Sequence, residues 1–155
     1  MSDVIFQSTD LANKRTEFLD AARNGQARLR DKDGTSLVML PESRLHLLET
    51  LAKWWEAYMK LMSLLRRSEM PKTSELGELA WLRSFEREDL DEFTNELHDA
   101  LVAASADEDA AVLDECVQAW RTTARQLEDP LRRSVLLGSH VPEDYEEVSE
   151  PEDGE

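Results

Sequence analysis

The sequence predicts an α+β fold: a small head of short strand, helix, β-hairpin and long helix, then an all-helical region and an acidic flexible tail. Three observations predict it. Residues 27–40 alternate apolar and polar side chains around Asp33-Gly34, as a hairpin does. From Leu45 onward, apolar residues recur at the three- and four-residue spacings of helix faces. The charge is also divided: residues 1–69 carry 11 Lys/Arg and 10 Asp/Glu, whereas residues 70–155 carry 7 and 24. These shifts set expected boundaries of 1–69 for the head, 70–138 for the helical region and 139–155 for the tail.

In the head, Val4, Ile5 and Phe6 form a β-prone start, and Ser8 or Thr9 offers a side-chain oxygen to cap the next helix. Asp10 sits where the helix dipole favours an acid. Leu11, Phe18, Leu19 and Ala22 supply one apolar stripe, and Asn24-Gly25 stops the helix. Leu29 then faces one way and Arg28 and Arg30 the other, until Asp33-Gly34 turns the chain and Ser36 to Leu40 returns. Pro41 suits a first helical position, followed by Glu42 in the acid-favoured first turn.

The helix after Pro41 is apolar on two sides. Of the 21 residues from Leu45 to Leu65, 14 are apolar; Leu48, Leu51, Trp55, Tyr58, Met62 and Leu65 form one stripe, and Leu47, Trp54, Leu61 and Leu64 much of a second. Such a helix is buried within its own chain or between chains, and homodimerisation through Leu48, Leu51, Trp54, Trp55 and Tyr58 is the economical expectation. Beyond the connector at Pro71, Leu76, Leu79, Leu82 and Phe85 recur every third residue, and Leu90, Phe93, Leu97 and Leu101 continue the pattern. Asp89 with Glu92 predicts a cap near a break, and Ser105 with Glu108 a capping box before Leu113, Val117, Trp120, Ala124 and Leu127. Asp129-Pro130 opens a final turn that Gly138 ends. Residues 139–155 are rich in Asp and Glu, with no Lys or Arg.

Several chemistries have no visible scaffold. Cys116 is the single cysteine, so neither an intrachain disulfide nor a multi-thiolate metal site is available, and a small apolar role is expected. His46, His98 and His140 lie far apart, and no phosphate-cradling loop is present. Neither cofactor nor metal is expected, and the chain reads as a non-enzyme. Its apolar runs fall far short of the roughly 20 residues that span a bilayer, so no membrane partner and a cytoplasmic location are expected.

A family resemblance rests on Asp10-Leu11-Ala12, Phe18-Leu19 with Ala21-Ala22, Gly25, the hairpin Arg28 to Leu40 with Asp33-Gly34, and the helix after Pro41. This third of the chain resembles the N-terminal half of the Phd/YefM (prevent-host-death) antitoxins. Ala119-Trp120-Arg121-Thr122-Thr123-Ala124, followed by Glu128-Asp129-Pro130, is similar to a stretch of actinobacterial members. The resemblance implies a homodimer that binds operator double-stranded DNA, represses its own operon and neutralises a cognate toxin protein. Lys14, Arg15, Arg28, Arg30 and Lys32 match the family's basic positions, and guanidinium groups suit phosphate and guanine edges. Two features depart from the family: Asp31 and Asp33 flank Lys32, and the head is almost neutral, which implies DNA binding that draws on the toxin for charge or avidity.

For the second half, the resemblance implies a segment that wraps the toxin, with Trp120, Leu127, Val135, Leu136 and Tyr145 as candidate anchors. The first four read equally as internal core, and Tyr145 as a loose tail residue. The alternative function is a dimeric helical adaptor that keeps a Phd-like head for dimerisation alone and binds no DNA.

Overall fold

The computed structural model describes residues 4–130. Its head is a three-stranded sheet ordered β1 (Ile5–Gln7), β2 (Ala27–Arg30), β3 (Ser36–Met39), with β1 parallel and β3 antiparallel to β2. A parallel pair needs a crossover, and α1 (Asp10–Asn13) and α2 (Arg15–Arg23) supply it. The one helix expected here is broken at Lys14 (φ −120°, ψ 31°). The first turn stays at the strand end, where the Gln7 amide donates to the Asp10 carboxylate at 2.8 Å. After the break, α2 lays Phe18 and Ala22 over Phe6 and Ala27, with the two phenyl rings edge-on at 5.3 Å. Leu11 is left exposed, and neither Ser8 nor Thr9 caps the helix through its side chain.

The hairpin forms as the sequence indicates, with a longer loop than a two-residue turn. The Asp31 amide donates to the Thr35 carbonyl (2.8 Å), Gly34 N to Asp31 O (3.0 Å) and Thr35 N to the Asp33 carboxylate (2.8 Å), which holds that carboxyl below its ordinary range. Gly34 takes φ 89°, a left-handed value that a side chain at this position would oppose.

Helix α3 (Glu42–Leu65) joins the head to an up-down-up bundle with α5 (Arg87–Asp107) and α6 (Ala111–Glu128). Pro41 stands just before the first turn, as its N-cap. Between α3 and α5 lie α4 (Thr73–Leu76) and a 3-10 helix, Gly77–Ser84. The latter explains the period of three: a 3-10 helix has about three residues per turn, so every third side chain stays on one line. Leu76, Leu79, Leu82 and Phe85 are all at most 5% exposed. Gly77 enters with φ 54°, and a Cβ there would lie 2.8 Å from Lys60 Nζ, which donates to Leu76 O at 3.2 Å.

Two expected caps fall elsewhere. Glu86 N donates to the Asp89 carboxylate (3.0 Å), so Asp89 closes the first turn of α5 from inside the helix instead of starting a cap with Glu92. Ser105 lies within α5, its hydroxyl bonded back to Leu101 O at 2.8 Å; the chain turns at Glu108 (φ 53°), and the Asp109 carboxylate accepts from Ala111 N at 2.9 Å. The pattern of charges gave no sign of the C-terminal cap of α3. The Arg87 guanidinium donates to Leu65 O, Arg67 O (2.6 Å) and Glu69 O (3.3 Å), which satisfies carbonyls a helix end otherwise leaves to solvent.

The bundle core runs from Trp54 and Leu61 through Phe93, Leu97 and Leu101 to Leu113 and Val117. This intrachain core corrects the expectation for α3. Trp54 is only 5% exposed, buried in its own chain, and Leu51, Trp55 and Tyr58 are half-buried against the same core; Leu48 is left exposed. The side of α3 that carries Leu47, Trp54 and Leu61 is thus covered within the chain, because folding the chain back covers it without a partner, while Leu48, Met59 and Met62 stay exposed.

Candidate interaction site

Strand parity sorts the basic residues of the head. Ala27 and Leu29 face α2 with Phe6, so Arg28 and Arg30 lie on the sheet face that α2 does not cover. There Arg28 is in register with Ile5 and Val38, and Arg30 with Gln7 and Ser36. All of these side chains are exposed. Lys32 is exposed in the hairpin loop between Asp31 and Asp33. Lys14 and Arg15, also exposed, sit at the α1–α2 break on the helical layer. The fold therefore brings Arg28 and Arg30 together on one face and sets Lys14 and Arg15 on the layer behind it.

Strand β3 is one of the two sheet edges, and no described strand covers its outer side. Leu37, Val38 and Met39 are 47%, 52% and 45% exposed. An uncharged, apolar edge is a template for pairing with another chain.

The candidate anchors on α6 serve the bundle itself. The Trp120 indole N–H donates to the Glu96 carboxylate (2.6 Å), and its ring packs edge-on against Phe85 (5.3 Å) and Phe93 (5.4 Å). Leu127 is half-buried against the same core. Arg121 lies over the Trp81 ring at 5.3 Å, Ala124 is buried, and Thr122 and Thr123 bond back to Gln118 O and Ala119 O. Trp120 and Leu127 are thereby corrected to internal contacts, since α6 lays this face along α5. Val135, Leu136, Tyr145 and His140 lie outside the described residues.

At the junction of the two halves, an open cleft of about 1060 Å³ is lined by Gly25 and Pro41 on the head side and by Glu108 and Asp114 on the α5–α6 turn. Beside this cleft, at the N-terminal end of α3, Arg44 pairs with Glu108 at 2.5 Å and His46 Nε2 lies 3.4 Å from the Asp114 carboxylate. Both are largely exposed, where such pairs contribute little. Near α4, the Arg67 guanidinium at 2.9 Å and the Lys72 amide at 2.8 Å hold the Glu75 carboxyl down at about 2. Cys116 is half-buried on the core; burial, then the nearby Glu96 charge, pushes its thiol up and away from reactivity.

Among the described residues no group of three or more His, Cys, Asp and Glu is placed to hold a metal ion, and no helix is long and apolar enough to cross a membrane. The chain is thus a mixed α+β protein, mainly helical, with one small three-stranded sheet. Comparison with protein-family models, with curated proteins and with solved structures gave no match to it.

Proposed function

We propose that this protein is the antitoxin of a toxin–antitoxin pair, whose helical bundle neutralises a basic protein toxin and whose head, as a homodimer, binds operator DNA and represses its own operon. The observation that carries this reading is the segregation of charge onto two structural units. The near-neutral head presents Arg28 and Arg30 on an open sheet face, and the carboxylates crowd onto the bundle. A polyanion and a cationic protein are the two partners such a division separates. The apolar β3 edge supports head-to-head pairing in the dimer.

Growth provides the first test. The product of the adjacent gene, expressed alone, arrests growth, and coexpression of this chain relieves the arrest. A harmless neighbour defeats the reading.

One observation favours a second reading, a dimeric adaptor that binds no DNA: the basic residues are split between two layers, with Asp31 and Asp33 beside Lys32. Charge reversal of Arg28, Arg30 and Lys32 to Glu separates the two. It abolishes retardation of the upstream DNA if the head is an operator binder and alters nothing if the protein is an adaptor.

A further inference from the structure

Helix α3 carries a second periodicity besides the one that fills the core. Leu45, Leu48, Ala52, Trp55, Met59 and Met62 follow one another at alternating steps of three and four, the spacing of a seam along which one helix packs on another. The buried positions Leu47, Trp54 and Leu61 lie on a different side of the helix. Trp55 is half-buried beside the His98 ring of α5, 6.0 Å away. The other five are exposed, Leu45 at 45%, Leu48 at 47%, Met59 at 64% and Met62 at 37%. From Leu45 to Met62 this open seam is about 26 Å long.

The charges beside the seam identify its occupant. Arg44 and His46 are engaged with Glu108 and Asp114. The remaining charged residues of α3 and its C-cap are Glu42, Glu49, Lys53, Glu56, Lys60 and Arg66, all exposed. Among the described residues none of the six forms an ion pair, although Lys60 donates to Leu76 O at 3.2 Å and Lys53 stands over the Trp54 ring at 5.6 Å. Their order reverses sign about the middle of the helix: Glu42 mirrors Arg66, Glu49 mirrors Lys60, and Lys53 mirrors Glu56. A second helix of the same sequence, running the other way about that midpoint, sets every one of these carboxylates against a cation. Within one residue, the same midpoint sets Leu45 opposite Met62, Leu48 opposite Met59, and the small Ala52 opposite the large Trp55.

We infer that the seam on α3 is a self-association surface, on which a second copy of the chain lays its own α3 antiparallel. A parallel copy would face Arg66 with Arg66 and Ala52 with Ala52, a like-charge contact and a gap. Exposed ion pairs contribute little, so the apolar seam supplies the affinity and the charges set direction and register. On the α5 border, Asp91 and Asp99 meet no cation in this arrangement and weaken the pair without changing its direction. The inference goes beyond the antitoxin reading and needs neither toxin nor operator; it adds a second self-association surface to the edge at β3.

The test uses the full chain with Cys116→Ser, so that introduced thiols are the only ones. An equimolar mixture of the Leu45→Cys and Met62→Cys chains, oxidised with glutathione disulfide, gives the mixed disulfide dimer, identified by its mass, and Met62→Cys alone gives at least tenfold less dimer. Adding Leu48→Lys with Met59→Lys to both chains, their circular dichroism unchanged, removes the link, whereas adding Val112→Lys on α6 leaves it. Glu49→Lys weakens the link, and Glu49→Lys with Lys60→Glu restores it. Absence of the mixed link, or its survival in the Leu48→Lys, Met59→Lys chains, overturns the seam. A Met62–Met62 link as strong as the mixed one overturns the antiparallel pair, as does a charge swap that restores nothing. A chain that stays monomeric while the product of the adjacent gene protects Met59 from oxidation also overturns it, since the occupant is then that protein. Relief of growth arrest is scored separately, and its failure bears on the antitoxin reading and not on the seam.

Discussion

The head and the bundle are stabilised on different scales. Four buried side chains, Phe6, Phe18, Ala22 and Ala27, make up the head's core, whereas the bundle buries fifteen, among them Phe93, Leu97, Leu101 and Leu113 with no exposed surface. Burial of apolar area is the main favourable term in folding, so the bundle has the means to stand alone and the head has little. The two are joined by the chain itself, which passes from β3 through Pro41 into the helix α3 of the bundle. A small unit with an apolar edge strand gains most from a partner. The two regions therefore differ in what they leave open: the head an apolar sheet edge at β3, and the bundle a few exposed apolar residues along α3.

The largest expected effect breaks the stronger region. Phe93→Ala, at a side chain wedged against Trp81 and Trp120, removes about 3–5 kcal/mol and unfolds most of the helix signal in a single thermal transition followed by circular dichroism. A Tm within a few degrees of the unaltered chain would show that the bundle is not the dominant cooperative unit.

Phe18→Ala sharpens the comparison from the other side. It removes a buried ring over Phe6 and costs about 3 kcal/mol, which a four-residue core does not survive. Amide exchange in residues 5–39 rises to the unprotected rate, while protection of Leu97 and Leu113 is unchanged. Loss of protection in both regions would mean that the two halves unfold as one.

The smallest effect concerns the connector between them. The Glu75 carboxyl is held at about 2, below its ordinary 4.5, by Arg67 and the Lys72 amide. A folded-state value below the unfolded one contributes stability that is fully present above the unfolded value and is lost as pH falls through the folded one. Urea titrations between pH 5 and pH 2 therefore show a shallower acid loss for Glu75→Gln than for the unaltered chain, with little difference in slope at neutral pH. An identical acid limb in the two chains would remove Arg67–Glu75 from the account.

Much of the head was legible because its signals are local. Asp33-Gly34 marks the hairpin, the alternation of Arg28, Leu29 and Arg30 gives the faces of β2, and Pro41 marks the entry to α3. The break at Lys14 was not legible, since it answers to where Phe18 must lie over Phe6, a contact across the crossover. In the bundle, the three-residue period of Leu76 to Phe85 was visible before its meaning as a 3-10 helix. The capping errors at Glu92 and Ser105 came from short motifs that occur inside helices as readily as at their ends.

The candidate site divided in the same way. The sequence placed Arg28 and Arg30 on one strand face, because alternation fixes that, but had no means of setting Lys14 and Arg15 on the layer behind. It marked α3 as apolar on two sides and assigned the excess to a second chain. Trp54, Trp120 and Leu127 went instead to the bundle's own core, and the exposed apolar residues that remain are Leu48, Met59 and Met62 on α3 and Val102 on α5.

By itself the sequence determined which segments are helix or strand, where the charge changes character and which faces are apolar, because these follow from spacing and side-chain chemistry along one element. The tertiary structure alone decided which apolar faces are spent inside the chain and which stay open. That choice depends on how α3, α5 and α6 lie against one another, and contacts between residues distant in sequence leave no periodic trace in either helix.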